Sequence, residues 1–195
     1  MEDQALEANQ SHRCVIIAVG SNVSDHISDA KTVVLHAIEK LDTFGTVQVS
    51  SPLYKTPCFP AGAGPDFVNA AVVVQCEWAA LTVLDHLHKI EADFGRERNA
   101  RWGQRSLDLD LIAQGDLVLP DRATFEHWRH LPLDQQVKES PTGLILPHPR
   151  LQDRAFVLGP LVDIAADWRH PVLNRTIRQM WDALPPADQA SLTPL

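Results

Sequence analysis

Hydrophobic patterning along this chain runs strand, helix, strand, strand, helix, strand, and that order restricts the folds open to it more than any other feature. Cys14 to Val19 is a short apolar run rich in β-branched side chains that stops at Gly20-Ser21-Asn22, the pattern of a strand buried on both faces and closed by a turn. From an N-cap at Ser24 or Asp25, the residues Ile27, Ala30, Val34, Ala37 or Ile38, and Leu41 recur at helical spacing, with Gly45 just past the stop. Thr46 to Ser51 alternates apolar and polar as a half-buried strand does. Phe67 to Cys76 is the next strand, and Trp78 to Phe94 is a second amphipathic helix, with Ala80, Leu84, Leu87, Ile90 and Phe94 on one stripe and Gly95 at its end. Ser106 to Ile112 closes the series. Two β-α-β halves in tandem predict an α+β domain, a ferredoxin-like βαββαβ antiparallel sheet with both helices on one face.

The remaining segments set the expected boundaries. Residues 1–12 are polar and unpatterned, as a disordered tail is, and residues 13–185 are expected to form one domain. That domain carries a polar insertion at 120–143, an extended stretch from Leu144 to Phe156, and a last helix from Asn174 to Leu184 that ends at Pro185-Pro186, leaving 186–195 as a tail. Two full domains would be cramped in 195 residues, and 45% hydrophobic with 22% charged residues excludes a disordered or fibrous chain. No run approaches the roughly 20 apolar residues of a membrane span, and the N-terminal stretch lacks a signal-peptide core, so a cytoplasmic protein is expected. Cys14, Cys58 and Cys76 are odd in number, far apart and without a C-x-x-C, which supports neither a disulfide framework nor a zinc knuckle. The net charge of −8 argues against a general nucleic-acid binder. A monomer with no nucleic-acid or membrane partner is the expectation.

Charge is distributed unevenly. Arg96, Arg98, Arg101 and Arg105 fall within ten residues of a chain that is acidic overall. Guanidinium forks match phosphate oxygens bidentately and stay charged at any working pH, so their convergence points to a polyphosphate ligand. Ser106-Leu-Asp108-Leu-Asp110-Leu-Ile112 follows directly. On a strand, residues two apart share a face, so Asp108 and Asp110 point one way, within about 7 Å of each other, while Leu107, Leu109 and Leu111 pack the other way. Such a pair calls for a cation, and magnesium uses one or two carboxylates while leaving its other positions to water and phosphate. Cations and anions alternating over one patch suit a metal-bound nucleotide. An isolated D-x-D is otherwise an exposed acidic edge, and Glu91, in the last turn of the second helix, reads equally as an ordinary surface glutamate.

Other chemistries find less support. Neither G-x-G-x-x-G nor G-x-x-x-x-G-K-[ST] is present, and no serine occupies a nucleophile elbow. His86 and His88 fall on different helix faces, and His127 and His130 lack a carboxylate or thiol at zinc spacing. His148 is held between Pro147 and Pro149 and is followed by Arg150 and Arg154. The segment from Pro52 to Pro65 holds four prolines with Gly62 and Gly64, a long loop of the kind that is more often functional than idle.

Five segments in order resemble the 6-hydroxymethyl-7,8-dihydropterin pyrophosphokinases of folate biosynthesis, over about Val15 to Asp182. They are Ala18-Val-Gly-Ser-Asn22; Ser51-Pro-Leu-Tyr54-Lys-Thr56-Pro57; Asp66-Phe67-Val-Asn69-Ala; the run Arg96-x-Arg98-x-x-Arg101-Trp102-Gly-x-Arg105-x-x-Asp108-x-Asp110; and Pro147-His148-Pro-Arg-x-x-x-Arg154-Ala-Phe156-Val. The fourth is the most specific. The resemblance implies transfer of pyrophosphate from ATP to the pterin hydroxymethyl group with release of AMP, on a ferredoxin-like fold. It implies two magnesium ions on Asp108 and Asp110, and ATP bound by Glu91, Arg98, Arg101, Trp102, Arg105, His148 and Arg154. It implies a pterin site of Thr56, Pro57, Phe59, Phe67, Asn69, Trp102, Asp108 and Phe156, with Phe67 and Phe156 stacking on the ring and Asn69 reading its edge. Arg98, Arg105, Asp108 and Asp110 carry the catalytic role, and the loops at 52–65 and 95–105 act as lids.

This chain departs from the family pattern in three places. Gln104 stands where many relatives have proline, and Phe67 stands at the aromatic position where tyrosine also occurs. The insertion at 120–143 is longer than the usual connection; Phe125 and Trp128 within it fit a helical flap, an interface or surface decoration, the last being favoured. No fused second folate enzyme is expected. The rival class, a ferredoxin-like RNA-binding module using the arginine loop, needs exposed aromatics on the central strands, where Leu-Asp-Leu-Asp would set carboxylates against phosphates.

Overall fold

The structure is a computed structural model that describes residues 14–24, 26–58, 64–95, 106–132, 135 and 139–195. Strand β1 (Cys14–Ser21) pairs antiparallel with β4 (Phe67–Gln75) on one side and β5 (Asp108–Gln114) on the other. Its β-branched run is shielded from water on both faces, as an apolar strand without alternation demands. Helix α1 (Ile27–Leu41) and helix α2 (Ala80–Asp93) cross between the strands and bury Val34, Ala37, Leu41, Val83 and Leu87 in one core with Val15, Ile17, Val19, Leu109 and Leu111. Both crossover helices therefore cover the same face of an α+β, mostly antiparallel sheet.

Among the described residues the sheet has six strands in place of the four expected. Its order is β5-β1-β4-β3-β6, with β2 (Thr46–Ser50) also paired to β4 and β3 being Tyr54–Thr56. One predicted strand ends at Ser50 because Pro52 has no N–H for the ladder. Ser51 bridges the gap: its N–H donates to the carbonyl of Ala71 at 2.9 Å, and its hydroxyl accepts the Ala71 N–H at 3.0 Å. The last strand, β6 (Thr193–Pro194), pairs with β3.

The second face of the sheet is covered by a helix that the pattern did not reveal. Helix α4 (Ala155–Ala165) follows a short 3₁₀ turn (Leu151–Asp153) and buries Val157, Leu158 and Leu161 against Ile16, Ala71 and Ile112. The stretch read as extended up to Phe156 thus turns helical at Ala155. Helix α5 (Ile177–Trp181) starts at Thr176 through a capping box with Gln179 and adds Ile177 and Met180 to this second core. This helix is therefore shorter than the 174–184 expected.

Residues 186–195, read as a tail, form α6 (Pro186–Gln189) and then β6. A Cβ on Gly159 would collide with Leu192, so glycine is what lets this segment lie against α4. The insertion contains helix α3 (Arg122–His130), capped by Asp121, whose side chain accepts the Thr124 N–H at 2.8 Å. Its Phe125 is fully buried with Ile145 and Val172, so this residue is core and not surface decoration.

Candidate active site

Four neighbouring strands bring distant sequence segments into one row. Gly20 of β1 is opposite Asn69 of β4 on one side and opposite Asp108 of β5 on the other, and Asn69 is in turn opposite Tyr54 of β3. One step along the same face, Ala18 lies between Ala71 and Asp110. Residues in lateral register share a face, and Ala71 belongs to the layer that packs on α4. The two aspartates, Asn69 and Phe67 therefore all project to the α4 side of the sheet, near its end. The floor between them is Gly20 and Ala18, the two smallest side chains available.

The absence of a side chain at Gly20 is needed. A Cβ there would lie 2.9 Å from Asn69 Oδ1 and 3.8 Å from the Phe67 ring. The Asn69 amide is buried and donates from Nδ2 to Thr56 Oγ1 at 2.7 Å, which fixes its orientation through a residue on the next strand. Strand β3 is braced from above, because the Tyr54 hydroxyl donates to Asp163 Oδ2 of α4 at 2.6 Å. Burial, and then that carboxylate, push the phenol up to about 12. Beyond Thr56, Pro57 is exposed and leads into the proline-rich loop, and Lys55 pairs with Asp66 at the other end of that loop at 3.0 Å.

On the opposite flank, Asp108 and Asp110 are half-buried. Arg154, at the N-terminus of α4, sets Nη1 3.0 Å from Asp110 Oδ2, and its guanidinium carbon is 5.6 Å from the centre of the Phe156 ring. His148 donates its backbone N–H to the carbonyl of Ile112 at 2.8 Å, and its Nδ1 accepts the Arg150 N–H at 3.1 Å. Burial, and next the Arg154 charge, hold this imidazole well below the usual histidine range. It is therefore neutral, and because Nδ1 accepts a hydrogen bond its ring proton is on Nε2. Among the described residues no group of three or more His, Cys, Asp or Glu could cage a metal. A pair of carboxylates on one strand face suits magnesium, which completes its shell with water and phosphate oxygens.

The chain's own sequence decides which family built this arrangement. The sequence profile of 7,8-dihydro-6-hydroxymethylpterin-pyrophosphokinase (HPPK) matches residues 16–166. This chain belongs to the HPPK family. A 2-amino-4-hydroxy-6-hydroxymethyldihydropteridine pyrophosphokinase of Pseudomonas aeruginosa is 38% identical over 158 residues, covering 80% of this chain and 83% of that protein. The enzyme of the same name from Haemophilus influenzae is 31% identical over 169 residues, covering 85% and 92%. Among solved structures, Plasmodium falciparum HPPK-DHPS, crystallised with pterin and p-hydroxybenzoate, superposes with a TM-score of 0.60 at 17% identity, over 87% of this chain. The chain spans 42% of that longer polypeptide, so the likeness speaks for the fold.

Of the residues singled out from the sequence, the HPPK fold brings Thr56, Phe67, Asn69, Asp108, Asp110, His148 and Arg154 to this side of the sheet, and Phe156 is exposed beside Arg154 on α4. Phe59, Arg98, Arg101, Trp102 and Arg105 lie outside the described residues. Glu91 comes from α2, on the other side of the sheet; it is buried, and its Oε1 accepts the Leu109 N–H at 2.8 Å. Sequence reasoning missed Ser21 and Asn22 as anchors. Ser21 donates to the carbonyl of Ser106 at 2.6 Å and Asn22 Nδ2 to that of Pro65 at 3.3 Å, so the last residue of β1 and the one after it fix the chain just before β5 and just before β4. The signal was present in Gly-Ser-Asn, where two hydrogen-bonding side chains directly follow a buried strand. Asp163 carried no signal, because α4 itself was not recognised.

Proposed function

We propose that this chain transfers the pyrophosphoryl group of ATP to the hydroxymethyl group of 6-hydroxymethyl-7,8-dihydropterin, a step of folate biosynthesis. The observation that carries the reading is the row Asp108–Gly20–Asn69. It sets a carboxylate and an oriented amide on either side of a side-chain-free floor where a flat heterocycle can lie. Family membership supplies the reaction.

In this reading the pterin lies over Gly20, its amide edge against Asn69, its ring between Phe67 and Phe156, with Thr56, Pro57 and Phe59 forming the wall. Its hydroxymethyl oxygen attacks the β-phosphorus of ATP. The bond from that phosphorus to the α,β-bridging oxygen breaks, AMP departs with the electron pair, and the hydroxyl proton passes to solvent. Two magnesium ions, held by Asp108 and Asp110, supply charge neutralisation at the phosphates when bound. The chain's own work is positioning and electrostatics. His148 donates a neutral hydrogen bond to a phosphate oxygen, Arg154 and the Arg98, Arg101 and Arg105 cluster bind the triphosphate, and Trp102 closes over the site; Glu91, buried on the opposite face of the sheet, acts only through the strand it holds and not on the nucleotide. The protein acts as a monomer in the cytoplasm with these two small molecules as its substrates.

The test is to mix the full chain with ATP, magnesium and the pterin and to identify the nucleotide product. AMP with a pterin diphosphate supports the reading. ADP, or pterin binding without turnover, overturns it. Omitting magnesium in the same assay tests the metal requirement separately.

A further inference from the structure

Arg154 stands at a point where two bound states compete for it. Its backbone begins α4, with its carbonyl accepting the Val157 and Leu158 N–H groups, so the base of the side chain is fixed. Its side chain passes by Phe156 and ends on Asp110 Oδ2 at 3.0 Å. Asp110 is one of the two carboxylates that suit a magnesium ion, and a carboxylate oxygen engaged by a guanidinium has less to offer a cation. The positive charge beside it also disfavours a bare divalent ion. The same guanidinium fork matches a phosphate as well as it matches a carboxylate.

We propose that Arg154 is a positioning residue that occupies Asp110 while no nucleotide is bound and moves to the triphosphate when metal and nucleotide arrive together. The inference rests on the reading of this site as a metal–triphosphate site. Arg154 then has an anionic partner in both states, so the exchange leaves neither a carboxylate nor a guanidinium unmatched. The pair is about one-third exposed on each side, 32% and 33%, which makes it weak enough to be displaced. The expected effect on metal affinity is severalfold, not orders of magnitude. By linkage, the metal must weaken the Arg154–Asp110 contact as much as that contact weakens the metal. The consequence is that a divalent cation alone binds poorly and enters with ATP, which keeps the carboxylates ready for the productive complex.

Manganese binding to the full chain, followed by electron paramagnetic resonance with and without a non-hydrolysable ATP analogue, tests this directly. Arg154→Gln is expected to tighten manganese binding three- to tenfold without nucleotide and to reduce the gain that nucleotide confers. Arg150→Gln removes a neighbouring positive charge that pairs with Asp153 at 3.1 Å and serves as the control. It is expected to leave manganese affinity within twofold of the parent. Equal tightening in both variants would mean general charge removal and overturn the proposal. So would unchanged manganese affinity in Arg154→Gln, provided Asp110→Asn abolishes binding. If Asp110→Asn itself binds manganese normally, the metal assignment fails, and the proposal falls with it. Circular dichroism of each variant checks that the fold is retained.

Discussion

The carboxylate of Glu91 accepts the backbone N–H of Leu109 at 2.8 Å and so fastens the peptide between Asp108 and Asp110 to the last turn of α2. Among the described residues strand β5 is the edge of the sheet, so N–H groups on its outer side have no strand partner there. A buried carboxylate takes one of them, and the two aspartates inherit a fixed backbone. Glu91→Ala leaves a buried N–H without this acceptor and is expected to lower the unfolding free energy by about 2 kcal/mol, measured by urea denaturation. Glu91→Gln keeps a carbonyl oxygen as acceptor and is expected to lose less than half as much. Equal losses in the two variants would dismiss the hydrogen bond as the reason for the glutamate.

Gly20→Ala addresses the floor of the site. The added methyl would sit 2.9 Å from Asn69 Oδ1, a contact relieved by turning the amide away from its present position. Stability is expected to fall by about 1–2 kcal/mol, because turning the amide gives up its buried hydrogen bond to Thr56. The KM for the pterin is expected to rise about tenfold, the worth of one well-placed hydrogen bond, with the KM for ATP unchanged. Steady-state kinetics with each substrate varied would decide it, and a change confined to ATP would refute the placement of the pterin over Gly20.

Tyr54 is the only tyrosine in the chain, so ultraviolet difference absorption reports it without ambiguity. Burial and the Asp163 carboxylate raise its pKa to about 12, and phenolate absorption of the folded protein should appear there and not near 10. Asp163→Asn keeps a hydrogen-bond acceptor but removes the negative charge, which should bring the midpoint down while leaving part of the shift. An unmoved midpoint would show that the brace between β3 and α4 has no electrostatic component.

His170 provides the pH dependence. Its ring is fully buried, 5.2 Å from the Phe125 ring, and its Nδ1 accepts the N–H groups of Val172 and Leu173 at 3.1 and 3.2 Å. Burial, and then Arg129, push its pKa down to about 4 from an unfolded value of 6.5. The unfolded chain therefore binds the proton first as the pH falls. Stability is unaffected above about pH 6.5 and is lost between there and pH 4 at about 1.4 kcal/mol per pH unit, about 3 kcal/mol in all. His170→Asn offers an amide oxygen to the same two N–H groups and does not titrate. Urea denaturation of both proteins between pH 4 and 7 should show a shallower acid limb in the variant; parallel limbs would remove His170 as the cause.

Much of this architecture is legible in the sequence because it is written in local periodicity. Strands β1 and β4 and helices α1 and α2 announce themselves by apolar spacing, and Asp108 and Asp110 share a face simply because strands alternate. Helix α4 is different. Its sequence AFVLGPLVDIA is apolar nearly all round and contains Gly159-Pro160, so it shows neither amphipathic spacing nor an uninterrupted helical run. It is a helix because the second face of the sheet has to be covered. The same reasoning applies to 186–195, which become ordered by pairing with β3 and by fitting against Gly159, partners that no local pattern names.

The sequence by itself determined the alternation of strands and helices, the two aspartates on one strand face, the cluster of arginines before them and the family to which these belong. These depend on residue type and spacing over a few positions. Only the tertiary structure decided that Gly20 separates Asn69 from Asp108, that Glu91 supports the strand between the aspartates, and that Arg154 rests on Asp110. Those relationships join residues 18 to 88 positions apart. They follow from strand register and from one layer closing on another, which the whole core settles at once and no short segment specifies.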